Sequence, residues 1–361
     1  MEQERLTDIC NPKQWKTIPT SDLLDCGYPV YGANGVIGYY SEYNHENPTV
    51  TITCRGATCG RINITAPKAY VTGNAMCLDD IRPDIDLKYL YYCLLHYDFS
   101  KVISGSAQPQ ITRQGLEKVN LRIGTPKEQQ MVIAVLDQVK ALIESFQRRL
   151  SALNNLLKAR FVEMFGDPKT NPNRYKTGKL RSSCSVITGN TPPRSVKEYY
   201  GEYIEWIKTD NIVSGRTYPT QAVESLSETG MKVGRIVDED AILMACIAGS
   251  ITSIGRVCIT DRRVAFNQQI NAIVPKLYDV HFLYVLLQTS KDYLVEEINM
   301  ALKGILSKSK LEDKEFYIPP MELQKQFADF LKQVDKSKVA VQKALDKTQH
   351  LFDSLMQKYF G

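Results

Sequence analysis

The chain contains one long segment twice. Residues 123–166 read IGTPKEQQMVIAVLDQVKALIESFQRRLSALNNLLKARFVEMFG, and residues 318–361 repeat the pattern without a gap at a constant offset of 195. Ten of the 44 aligned positions are identical, among them Gln129/Gln324, Leu136/Leu331, Val139/Val334, Leu156/Leu351 and Gly166/Gly361. Within the first copy Val132, Leu136, Val139, Ile143, Phe146, Leu150, Leu153 and Leu157 alternate spacings of four and three. That is the apolar seam of a coiled coil, and no Gly or Pro interrupts it. The second copy carries Phe327, Leu331, Val334, Val341, Leu345, Phe352, Leu355 and Tyr359 in the same register, with Lys338 and Thr348 at two seam positions. Thirty-odd helical residues at ~1.5 Å each reach roughly 50 Å, and so narrow a stripe has to be covered by a partner helix. The matching stripe on the same chain is the expected partner, with a dimerisation coil between two chains as the alternative.

The duplication extends upstream of the helices. At the same offset Gly60-Arg61 falls on Gly255-Arg256, and VTGNAMCL (71–78) on FNQQINAI (266–273). DLKYLYYCLL then answers DVHFLYVLL after a two-residue slip. The repeated unit is therefore a strand-rich module followed by its long helix. Four segments result: a head at 1–122, a helix at 123–166, a second head at 167–317 and a second helix at 318–361. PTVTITCRG (48–56) and GRINIT (60–65) predict a hairpin. Residues 86–97 predict a helix with Leu87, Leu90, Leu94 and Leu95 on its inner face. GDPKTNPNRYKTG (166–178) reads as a linker. The expected fold class is α+β: two strand-rich heads and two long helices with internal pseudo-two-fold symmetry.

Signals for chemistry are sparse. There is no phosphate-binding GxxxxGK[ST] loop, no GxGxxG after a strand, and no repeated acidic pair suited to two metals. The four histidines lack ligand spacing and read as ordinary surface or helix residues. Nine scattered cysteines without a CxxC read as reduced thiols rather than zinc ligands or disulfides, which with the absence of an apolar leader or span points to the cytoplasm. No metal or cofactor is expected on this chain. A net charge of +5 and a pI near 8.6 permit a phosphate-bearing partner without requiring one.

What the heads do offer is loop-borne Arg, Lys, Asn and Gln, the side chains that fork onto guanine or adenine edges in the major groove. In the first head these candidates are Arg55, Thr58, Gln108, Gln110 and Arg113. In the second they are Arg194, Lys208, Asn211, Arg216, Gln268, Gln269, Lys303 and Lys308. Taken singly, each is equally well explained as a solvated loop residue.

Two variable heads, each leaving through a proline-marked strand exit into a long helix closed by FG, resemble the specificity subunit of Type I restriction-modification systems. IGTPKEQQMVIAVLDQV, IPPMELQKQFADFLKQV, VITGNTPPR and YIEWIKTDNIVSGR look like recurrent segments of that family. The first head lacks a sequence counterpart of GNTPPR and WIKTDNI. The resemblance implies that each head is a target recognition domain for one half of a split site in double-stranded DNA. It implies an antiparallel helix pair acting as spacer, and recruitment of two methyltransferase subunits and of restriction subunits. It further implies a non-catalytic chain, with S-adenosylmethionine bound by the methyltransferase. Two other readings remain: a coiled-coil adaptor that binds proteins without DNA sequence preference, and a nuclease with an unrecognised site.

Overall fold

A computed structural model describes residues 2–105, 108–296, 298 and 304–361. The chain divides into two compact units, residues 1–146 with 344–361, and residues 147–343. Each unit thus takes in one head together with a stretch of both long helices.

In the first unit, strand Glu2–Arg5 pairs antiparallel with Asn120–Ile123, the strand that leads into the first long helix. A four-stranded sheet follows in the order Asn11–Gln14, Ala75–Asp79, Val50–Thr53, Ile62–Ile64. Its last pair is the hairpin expected from the alternation at 48–65. A second sheet sets Tyr28–Gly32 between Gly35–Tyr40 and Tyr70–Val71, the latter pairing parallel. Helix Leu87–His96 closes the core, and the Asp86 carboxylate caps it by accepting from the Lys88 and Tyr89 amides. Leu90 and Leu94 are buried on its inner face, but Leu95 is exposed; Tyr89, Tyr92 and Cys93 are buried too, with Tyr89 and Tyr92 against Phe360 and Phe352 of a long helix. The inner stripe therefore runs through 89, 90, 93 and 94, one position behind the one the leucines suggest.

The second unit repeats this plan. Thr177–Lys179 pairs with Glu315–Tyr317, the strand before the second long helix. The main sheet runs Cys184–Thr188, Ile270–Pro275, Ile242–Ala245, Val257–Ile259, which is the same topological order as in the first unit. The second sheet centres on Tyr200–Ile207, which pairs parallel with Val264–Phe266. Strand Tyr28–Gly32 occupies the equivalent place in the first unit, so the WIKTDNI segment has a topological counterpart there with unrelated side chains. Asp279 caps helix Val280–Thr289 as Asp86 caps its own helix.

The identity of Gln129 and Gln324 has a physical cause. Both are buried, at 1% and 0% exposure. The Gln129 carboxamide accepts from the Asp86 amide at 2.8 Å and donates to the Asp84 and Gly124 carbonyls at 3.0 and 2.9 Å. Gln324 accepts from the Asp279 amide at 2.9 Å and donates to the Leu277 and Pro319 carbonyls at 3.5 and 2.8 Å. Each glutamine ties the first turn of a long helix to the cap of the head's own helix.

The long helices run Pro126–Phe165 and Met321–Phe360, forty residues each, or about 60 Å. In the first unit Val132 and Leu136, near the start of one helix, share a core with Met356, Phe352, Leu355 and Tyr359, near the end of the other. In the second unit Leu157 shares a core with Phe327, Leu331 and Val334. Start meets end in both units, so the pairing is antiparallel. Val139 and Ile143 are buried, and Phe146, Leu150, Leu153, Val341 and Leu345 are half-buried. The seam extends further than the heptads indicate: Phe161 and Phe165 are fully buried, with Phe161 and Phe327 ring centroids 5.4 Å apart. Among the described residues no helix is long and apolar enough to cross a membrane.

Candidate nucleic-acid interface

The first head's polar candidates come from two stretches some fifty residues apart, and the fold joins them. The Val50–Thr53 strand ends in a turn at 54–59, where the chain cannot continue the ladder and needs another segment to satisfy its backbone. Ser104 and residues 109–111 supply it. The Ile111 amide donates to the Cys54 carbonyl at 3.0 Å, and the Gly56 amide to the Pro109 carbonyl at 3.1 Å. Arg55 faces Gln110 in an antiparallel bridge. Thr58 accepts at its carbonyl from the Arg61 amide, and Thr112 caps the short helix that begins with Arg113. Arg55, Gln108, Gln110 and Arg113 are exposed and Thr58 is half-exposed. All five are therefore brought to one two-loop cluster.

The second head builds the same device. Four backbone hydrogen bonds correspond one to one between the heads. Thr53 to Arg61 (2.8 Å) matches Ala245 to Arg256 (2.9 Å). Gly60 to Thr53 (2.8 Å) matches Gly255 to Ala245 (2.8 Å). Cys54 to Asn74 (3.1 Å) matches Cys246 to Gln269 (2.8 Å), and Ile111 to Cys54 (3.0 Å) matches Leu306 to Cys246 (2.8 Å). The turn between these anchors is three residues longer in the second head, 246–254 against 54–59. Gly56 and Gly249, near the two turn tips, face open space where a Cβ would stand.

The second head's candidates divide into three groups. Gln268, Gln269 and Lys308 lie on the segments that meet at this cluster, but their side chains are already engaged. Gln268 contacts the Thr191 hydroxyl, the Gln269 side-chain oxygen accepts from Asn267 at 3.1 Å, and Lys308 pairs with Glu312 at 3.6 Å. Arg194 and Lys208 converge elsewhere, on the two oxygens of Glu224, Arg194 at 2.7 Å. Both cations also lie over the Trp206 ring, at 5.1 and 5.0 Å from its centroid, and Arg194 over Tyr200 at 4.7 Å. These two cations hold the Glu224 carboxyl below the usual carboxylate range.

Asn211 is not available to read a base. It is 9% exposed; its carboxamide oxygen accepts from the Lys208 amide, and its nitrogen donates to Thr220 Oγ1 and the Gln221 carbonyl, both at 3.1 Å. It locks the turn that follows the Tyr200–Ile207 strand. Arg216 is exposed in the same region, with its carbonyl accepting from the Tyr284 hydroxyl. Lys303 lies outside the described residues.

Arg256 and Lys291 escape detection by sequence. Arg256 Nε donates to the Ser253 carbonyl at 3.2 Å, and the Lys291 ammonium donates to the Thr252 carbonyl, so both cations brace one turn. Burial first, and then the neighbouring Arg256 charge, pull the Lys291 pKa down. The offset that puts Arg256 opposite Arg61 was the available signal for the first; nothing in the pattern marks the second.

Among the described residues one group of potential metal ligands comes together: His45, Cys77 and Asp79, with ligand atoms within 4.8 Å of one another. The histidine is neither a surface nor a helix residue. Its Nδ1 lies 2.6 Å from Asn44 Oδ1, its Nε2 lies 2.9 Å from Asp79 Oδ1, and Trp15 Nε1 donates to the other Asp79 oxygen at 3.0 Å. With both ring nitrogens and both carboxylate oxygens engaged, the network accounts for itself as a tie between three segments. All nine cysteines are free thiols, and seven are buried.

Residues 1–155 and 172–348 match the family described as the Type I restriction modification DNA specificity domain. The EcoprrI specificity subunit of Escherichia coli is 28% identical over 118 residues, a match that spans 33% of this chain and 29% of that protein. A putative MjaX specificity subunit of Methanocaldococcus jannaschii is 22% identical over 325 residues, spanning 81% of this chain and 74% of that one. The crystal structure of a Type I restriction-modification S subunit from M. genitalium has the same fold, with a TM-score of 0.65 at 14% identity, covering 100% of this chain and 96% of that one. The chain belongs to the family of Type I restriction-modification DNA specificity domains.

Proposed function

We propose that this chain is the DNA-reading, non-catalytic subunit of a Type I restriction-modification complex, each head reading one half of a split site in double-stranded DNA. The observation that carries this is the two-loop cluster built twice. Four matching backbone bonds hold equivalent loops in both heads, and in the first they gather all five polar candidates. A rigid frame with exchangeable loop side chains is what sequence reading requires, since phosphate contacts position a protein while base edges specify the site. The long helices act as the spacer. Leu156 and Leu351 support docking of two methyltransferase subunits. They occupy equivalent positions, are identical, and stand 48% and 50% exposed off the seam. S-adenosylmethionine and the transfer step belong to those partners, restriction subunits join beyond them, and the working compartment is the cytoplasm.

The test is a methylation map of DNA from cells carrying this chain and its neighbouring methyltransferase, compared with cells lacking this chain alone. A split motif that disappears with the chain is the expected result. An unchanged map would bring forward the protein-binding adaptor instead.

A further inference from the structure

The matched backbone bonds align the heads residue by residue, and at the centre of the cluster they align unlike chemistry. Arg55 follows the anchored Cys54 as Ile247 follows Cys246. Gln110 precedes Ile111 as Ile305 precedes Leu306. The pairing is also the same, Arg55 facing Gln110 and Ile247 facing Ile305 across antiparallel bonds. The frame is kept, while a guanidinium and an amide are replaced by two branched hydrocarbons.

Core packing does not explain those hydrocarbons. Cys246, Ile254 and Leu306 supply the buried contacts at the base of the cluster, whereas Ile247 is half-buried, Ile305 is 52% exposed and Ile251, on the same turn, is 37% exposed. The remainder of the turn is Ala248, half-buried against the core, with Gly249, Ser250, Thr252 and Ser253, so the exposed isoleucines stand beside small and hydroxyl side chains. On the same turn Arg256 and Lys291 donate to the adjacent Ser253 and Thr252 carbonyls, which brings two positive charges together. Burial lowers the Lys291 pKa first and the Arg256 charge adds to it, and a bound anion would offset both.

We infer that Ile247 and Ile305 are the base-reading pair of the second head, packing on thymine C5-methyl groups in the major groove while Arg256 and Lys291 hold the adjoining phosphate. Among the four bases only thymine offers a methyl there, and apolar side chains are its natural complement. Arg55 and Gln110, at the same positions of the first head, instead present the forks suited to purine edges. The inference rests on the specificity role proposed above.

The experiment uses the chain with its methyltransferase and duplexes built on the mapped motif. The half-site that relaxes in the Ile247→Ala, Ile305→Ala variant is assigned to the second head. Each thymine in it is then replaced by uracil, which removes only the methyl. We expect about tenfold weaker binding by the unaltered protein at one or two of these thymines, and no further weakening in the variant. Equal weakening in both proteins, a half-site without thymine, or a variant with an unaltered motif would overturn the assignment. A motif absent altogether would instead bring down the specificity role itself. Should the alanine variant fail to fold, Ile247→Val with Ile305→Val gives the same comparison at smaller amplitude.

Discussion

Gln129 and Gln324 show how single residues hold the two copies to one plan. Each is a buried amide that hydrogen-bonds three backbone groups at once. Gln129→Ala or Gln324→Ala should each lower unfolding free energy by ~2–4 kcal/mol, since buried donors and acceptors lose their partners. Urea denaturation checks this, and a loss below half a kcal/mol would mean that water replaces the amide. Glu224 works oppositely, on function. It neutralises Arg194 and Lys208, so Glu224→Gln should tighten DNA binding and steepen its salt dependence by ~0.9 for each cation that gains a phosphate. Because Arg194 and Lys208 depress the Glu224 carboxyl, the clamp persists throughout the ordinary pH range. Its stabilisation is present above the unfolded-state pKa of about 4.3 and lost as pH falls through the lower folded value. The variant's stability should accordingly respond less to acid over that interval.

At the scale of elements, the helices were legible in the sequence and the interface largely was not. A heptad seam is written locally, residue after residue, so Val132 to Leu157 could be assigned from spacing alone. The heptad pattern does not reach Phe161 and Phe165, because their burial comes from Phe282 and Phe327, far along the chain. The joining of 55–58 with 108–113, the capture of Arg194 and Lys208 by Glu224, and the internal use of Asn211 are long-range pairings that no periodicity encodes. Nothing in the sequence marks Ile247 and Ile305, because apolar residues in a strand-rich head read as core. Lys338 could be placed in the seam, but its consequence required the structure. Its ammonium and the Asp335 carboxylate are each 13% exposed and 3.6 Å apart. Asp335→Ala leaves an unpaired cation in the seam and should cost ~3 kcal/mol, whereas Lys338→Leu should be near neutral or stabilising. Thermal unfolding of the two variants separates these outcomes; equal losses would show that the pair contributes through its attraction alone.

At the scale of the molecule, the duplication reaches the points where the helices end. In the second unit the Tyr317 hydroxyl donates to the Gly166 carbonyl, and ten residues then lead to the strand that opens the second head. In the first unit Arg122 Nη1 donates to the Gly361 carbonyl, and strand Glu2–Arg5 pairs beside it. Arg122 and Tyr317 are themselves 195 residues apart, so Gly361 and Glu2 stand where the two ends of the 167–176 linker stand in the other copy. This predicts that the order of the heads along the chain is immaterial. Joining Gly361 to Glu2 through a ten-residue polar linker and opening the chain within 168–174 breaks no strand or long helix. The opened segment is one of the exposed connections that tolerate such cuts. The permuted protein should unfold cooperatively within ~1–2 kcal/mol of the parent, as expected where no buried contact is removed. With its methyltransferase it should mark the same split motif with the same spacer. A permuted chain that folds but reads an altered spacer would mean that the 167–176 connection, and not only the helix pair, sets how the two half-sites are presented.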